Sequence, residues 1–123
     1  MKRTKEFEAP RLIGVLAEKE IPQAEQKILA KELAKITSEY ICLPFKVEKK
    51  YLKNVITCLK LMDIEGLIVV GAHQQAITEF VKLDVAASEK GKVNVIKRND
   101  NKFVGTYLEE DKAFQQKALK AII

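Results

Sequence analysis

The sequence predicts an α/β fold: a three-layer α/β/α sandwich on a mainly parallel sheet, with an antiparallel hairpin near the carboxyl terminus. Three observations predict it. Arg11 to Ala17 (RLIGVLA) and Gly66 to Val70 (GLIVV) are continuous apolar runs of strand length, the pattern of strands covered on both faces. Apolar residues between and after these runs recur at helical spacing, so strands alternate with helices, and right-handed crossovers then make the strands parallel. Lys92 to Arg98 and Phe103 to Leu108 flank an Asn- and Asp-rich link and read as a hairpin. A chain of 123 residues fits one domain, which buries roughly two thirds of its unfolded surface.

Residues 1–10, ending in Ala9-Pro10, read as a frayed lead-in, and no apolar stretch follows its positive charges as a secretory signal requires. Arg11 to Ala17 is the first strand. From Ile21, the positions Ala24, Ile28, Leu29, Leu33 and Ile36 trace one face of a helix, with Pro22 in its first turn, where a missing N–H costs nothing. Glu39 to Val47 (EYICLPFKV) is rich in β-formers but holds Pro44, which cannot donate to a central ladder, so this strand belongs at a sheet edge. Leu52, Val55, Ile56, Leu59 and Met62 give a second helical stripe, and Gly66 starts the central strand. Ala76, Ile77, Phe80 and Val81 give a third, short helix, and Leu83 to Gly91 is a connecting segment. After the hairpin, Glu109-Glu110-Asp111 sits at the amino end of a helix carrying Phe114, Ala118, Ala121 and Ile122 on one stripe, with Lys117 and Lys120 late in it, as the helix dipole favours.

Composition excludes several classes. The net charge of +5 is spread almost evenly from Lys2 to Lys120 among interleaved acids, so solvated helix faces explain it better than a nucleic-acid surface does. No apolar run approaches the ~20 residues of a membrane span, and a cytoplasmic address is expected. Cys42 and Cys58, on a predicted strand and a predicted helix, are too few for a disulfide framework or a zinc site and are expected to be buried thiols. Nucleic acid, membrane and metal are therefore not expected as partners.

The stretch around which the chain is organised is Gly66 to Gln75, a buried strand released by Gly71 that delivers the only histidine, His73, beside Gln74 and Gln75. In open α/β sheets the carboxyl edge is where ligands bind, so a small-molecule ligand is expected at these residues. His73 reads either as a pocket residue or as a helix-start histidine bonded to nearby backbone. Gln74 and Gln75 can present amides to a polyol or carboxylate. Asn94, between two apolar residues of a predicted strand, is disfavoured there by propensity and so reads as functional or turn-bonding. Without a Ser, Cys or metal-ligand partner at a sensible spacing, the histidine supports neither a triad nor a metal site.

The layout, with particular words in it, resembles the amino-terminal, substrate-binding domain of shikimate dehydrogenase over about residues 11 to 115. The words are Leu12-Ile13-Gly14-Val15-Leu16, Tyr40-Ile41-Cys42-Leu43-Pro44-Phe45, Met62-Asp63-Ile64-Glu65-Gly66, Leu83-Asp84, Gly91-Lys92-Val93-Asn94-Val95-Ile96 and Phe103-Val104-Gly105. The resemblance implies a catalytic lysine after the central strand and an aspartate after the hairpin. Ile68-Val69-Val70-Gly71-Ala72-His73-Gln74 puts Gln74 where the lysine should stand, and Gly105-Thr106-Tyr107-Leu108-Glu109 puts Glu109 in place of the aspartate. Glu18-Lys19-Glu20-Ile21-Pro22 holds no hydroxyl where the family has substrate-binding serines. Of the family's polar contacts Asn94 carries over, and His73 matches as a neighbour.

A dinucleotide site needs Gly-x-Gly-x-x-Gly after a strand, and the sequence has none, so no cofactor domain and no cofactor are expected in this chain. NADP would enter only through a separate Rossmann-domain partner. Three readings follow: a stand-alone, catalytically degenerate ligand-binding domain; the substrate-domain subunit of a split NADP-dependent shikimate or quinate oxidoreductase; or a homo-oligomeric interaction protein.

Overall fold

The computed structural model describes residues 10–123; the lead-in expected over residues 1–10 otherwise lies outside the described residues. In chain order the elements are β1 (Arg11–Ala17), α1 (Gln23–Ile36), β2 (Tyr40–Lys46), a 3₁₀ turn (Lys49–Tyr51) running into α2 (Leu52–Lys60), and β3 (Ile64–Val69). Then come α3 (His73–Ala76) with a 3₁₀ turn (Ile77–Glu79), β4 (Lys82–Leu83), α4 (Val85–Lys90), β5 (Val95–Asn99), β6 (Lys102–Thr106) and α5 (Phe114–Ile122). They build a six-stranded sheet in the order β2-β1-β3-β5-β6-β4. β1 pairs in parallel with β2 and β3, and β4 with β6, while β3–β5 and β5–β6 are antiparallel.

Two apolar layers sandwich the sheet. On one face Leu29 and Leu33 of α1 and Ala118, Leu119 and Ile122 of α5 pack on Ile13, Val15, Ile68 and Val95. On the other, Leu52, Ile56 and Leu59 of α2 join Ile77 and Ala87 against Leu16, Leu67, Val69, Ile96 and Phe103. β1 and β3 are apolar on both sides because both sides are covered. α5 comes so close to β3 that a Cβ on Gly66 would lie 2.5 Å from the Ile96 carbonyl oxygen and 2.6 Å from the Ile122 side chain.

β2 is an edge strand, as Pro44 requires. The Arg11 N–H donates to Glu39 O and the Val47 N–H to Ala17 O, so the odd-numbered residues from 39 to 47 address β1. Pro44 therefore points its missing donor outward, where the ladder does not need it.

Several expectations are corrected. The central strand begins at Ile64, two residues before Gly66, and a register shift against Leu12/Ile13 admits Glu65. Leu83 to Gly91 is not a plain connection: Lys82–Leu83 pairs with β6, and α4 follows, with Asp84 accepting the Ala87 N–H and Gly91 closing it at φ 72. The hairpin link is two residues, Asp100 and Asn101, with Asp100 at φ 58. Asn94 precedes β5 instead of lying inside it. Met62 lies beyond the end of α2, and Ile28 is exposed on α1. Cys58 is exposed on α2, whereas Cys42 is half-buried and its thiol is pushed up to about 11 by burial.

Candidate functional site

Three chain ends meet at one edge of the sheet. β5 is antiparallel to β3, so the start of β5 lies beside the end of β3; β6 is antiparallel to β5, so its end returns to the same place. Backbone bonds fix the junction: Val69 N–H to Asn94 O at 2.9 Å, Asn94 N–H to Thr106 O at 3.1 Å, and Val93 N–H to Gln74 O at 2.8 Å. Three segments distant in sequence thus deliver Gln74, Asn94 and Glu110 to one spot.

Their side chains form one network. Gln74 Nε2 donates to Val69 O at 3.0 Å and to Glu110 Oε2 at 2.8 Å. Asn94 Nδ2 donates to Leu108 O at 2.8 Å and to the same Glu110 Oε2 at 3.3 Å, while Asn94 Oδ1 accepts the Leu108 N–H at 2.9 Å. These partners fix both amide orientations, because Glu110 and the carbonyls only accept. Asn94 is fully buried and Gln74 is 8% exposed, so their bonds stand in for most of the water the two amides would otherwise hold.

Above the network lies a cleft of about 920 Å³, lined among others by Gln74, Gln75, Glu110, Lys49, Lys92 and Glu79. It sits outside the carboxyl end of β3, where open α/β sheets hold their ligands. A second cavity of about 370 Å³ runs along the β1–α1 loop, touching Glu18, Glu20, Glu25 and Gly71.

The residues singled out in the sequence part company here. Gln74 and Gln75 line the cleft, the first buried and bonded, the second exposed. Asn94 supports the network from below. His73 turns away: it is 1% exposed, and its Nε2 lies 2.6 Å from Val47 O. A carbonyl can only accept, so Nε2 carries the proton and Nδ1 is left buried without a partner among the described residues. The ring ties the β2–α2 connection to the start of α3 instead of lining the cleft. Glu109 is exposed and outside the network, and its neighbour Glu110, exposed as well, accepts from the two amides. Spacing counted from Gly105 points to Glu109; in the fold Glu110 is the one that meets the amides, next to the backbone that Asn94 fixes at Leu108.

The β1–α1 turn has no glycine to admit a pyrophosphate, and the β3–α3 turn has only Gly71, at φ 68. Among the described residues no group of three or more His, Cys, Asp or Glu could hold a metal ion, and no helix is long and apolar enough to cross a membrane.

Fold and site together define an open α/β domain with a cleft at a sheet edge shared by parallel and antiparallel strands. More particularly, the fold is shikimate dehydrogenase-like over most of the chain. A crystal structure of shikimate 5-dehydrogenase from Listeria monocytogenes, in complex with shikimate and NAD, superposes with a TM-score of 0.70 at 28% identity, covering 79% of this chain and 34% of that one. The NADP(+) shikimate dehydrogenase of Methanosphaera stadtmanae is 38% identical over 63 residues, which is 50% of this chain and 22% of that protein. That of Trichormus variabilis is 31% identical over 75 residues, 60% of this chain and 26% of that protein. The matched stretch thus spans about a quarter of the curated relatives. No family model matches the chain.

Proposed function

We propose that this shikimate dehydrogenase-related chain corresponds to the family's substrate-binding domain, holding a small hydroxy-acid-like ligand at the carboxyl edge of its sheet without dehydrogenase activity of its own. The observation that carries the reading is the cleft of about 920 Å³ with Gln74 and Glu110 in its wall. That is the scale of a small-molecule site. The Gln74 amide cannot exchange a proton near neutral pH, and both of its donors are already committed. General acid–base work contributes roughly 10²- to 10⁴-fold in rate, so its loss separates binding from turnover.

Titration calorimetry of the chain with shikimate, quinate and dehydroshikimate tests the reading. Heat from at least one of them, with no reduction of NADP(+) by the chain alone, is expected. Absence of heat from all three sinks it for those ligands.

A second reading is a subunit of a split oxidoreductase, with NADP bound by a Rossmann-domain partner. The exposed cleft residues Gln75, Glu79, Lys49 and Lys92 favour it, since a partner domain would have a wall to close against. A pull-down from native cells that returns no Rossmann protein would count against it.

A further inference from the structure

The network under the cleft is unbalanced in charge. Glu110 is its one ionisable member, bonded by two neutral amides. The ion pairs among the described residues are Lys35–Glu32, Lys50–Glu48 and Lys117–Asp111, and Glu110 belongs to none of them. The inventory of unused hydrogen-bonding groups is one-sided as well. Gln74 spends both N–H donors on Val69 O and Glu110 Oε2, and Asn94 spends both on Leu108 O and the same Oε2. Two acceptors remain among the three side chains. Glu110 Oε1 and Gln74 Oε1 have no protein donor among the described residues; Glu110 is exposed, Gln74 Oε1 is not among the fully buried unpartnered atoms, and both residues line the cleft. Lys49 and Lys92 line the same cleft and bring cationic donors to it.

We propose that the cleft selects a zwitterion, a small carboxylic acid bearing an ammonium group, with the ammonium on Glu110 Oε1 and Gln74 Oε1 and the carboxylate facing Lys49 and Lys92. A hydroxyl offers one proton to two waiting acceptors and leaves the carboxylate charge uncompensated. An ammonium offers three and neutralises it. Gln74 matters as much as Glu110 here: a cation at position 74 would pair with Glu110 inside the protein, whereas the glutamine leaves that pairing to the ligand. This inference rests on the ligand-binding reading above and specifies the ligand's chemistry.

The test uses a matched pair of probes, cis-3-aminocyclohexanecarboxylate and cis-3-hydroxycyclohexanecarboxylate, titrated by calorimetry into the full chain at pH 7 and low salt. The amino acid is expected to bind about five- to tenfold more tightly, an advantage that shrinks as salt screens the contact. Glu110→Gln is expected to abolish the preference, bringing the two probes to equal affinity. Gln74→Lys, which supplies an internal partner for Glu110, is expected to abolish it independently, so the test survives misfolding of either variant. Equal binding of the two probes, or a preference for the hydroxy acid, overturns this inference and leaves the binding reading standing. An amine preference that persists in both variants overturns the assignment to Glu110. No heat from either probe, nor from shikimate or quinate, overturns both readings together.

Discussion

Two polar networks cap the two ends of β3, and they are built on opposite plans. At the amino end Arg98 lies over the ring of Phe103 at 4.9 Å and donates to four carbonyls: Leu59 O, Lys60 O, Met62 O and Ile64 O, at 2.7 to 3.2 Å. Every acceptor is the protein's own backbone, at the end of α2 and the start of β3, where helix carbonyls lack internal partners. At the carboxyl end Glu110 takes two amides on one oxygen and leaves the other free beside a cleft. The contrast teaches how to tell a structural ion from a site. A charge with four of its five N–H donors on backbone carbonyls holds the fold; one only half satisfied, next to open volume, has capacity left for something else.

Removing the Arg98 charge should cost the most. Arg98→Ala strips four carbonyls of a charged donor, and chemical denaturation is expected to show a loss of about 3 kcal/mol, with ligand binding in the cleft unchanged for the protein that remains folded. Asn94→Ala comes next, because the amide is fully buried and both its ends are bonded to Leu108. Denaturation should show about 2 kcal/mol lost, and calorimetry should show weakened binding as well, since Glu110 loses one of its two anchors. A variant that lost stability but bound as before would erase the distinction drawn for the carboxyl end.

Gly71→Ala probes the turn that launches α3 from β3. Its φ of 68 suits glycine, while no atom lies within 4 Å of the new methyl, so backbone strain alone should cost about 1 kcal/mol in thermal or urea unfolding. The smallest stability effect is expected for Glu110→Gln, which keeps an oxygen on the two amides. Its melting curve should overlay that of the parent chain while the discrimination between amine and hydroxyl ligands disappears. A strongly destabilised Glu110→Gln would move this carboxylate into the same category as Arg98.

The architecture was legible because its cause is local. Arg11 to Ala17 and the run through Val69 are apolar on both sides, and Pro44 announces an edge, so strand identities and the place of the cleft follow from residue type and order. What escaped was decided by distant partners. The burial of His73 depends on Val47 O, 26 positions away, and Glu110, not Glu109, meets the amides of Gln74 and Asn94. Between these lies α4, whose punctuation was in plain view, Asp84 to start it and Gly91 to stop it. Only Ala87 is buried in it and Val85 is exposed, so no apolar stripe marked the six residues as a helix.

The edges of the sheet carry a last consequence. One edge is β2, with Pro44 turned outward in the middle of its open side; the other is β4, two residues long. A strand from a neighbouring molecule would find a missing donor at the first and almost no template at the second. Among the described residues the sheet is therefore self-limiting: crowding the protein to high concentration should not lengthen it into fibrils.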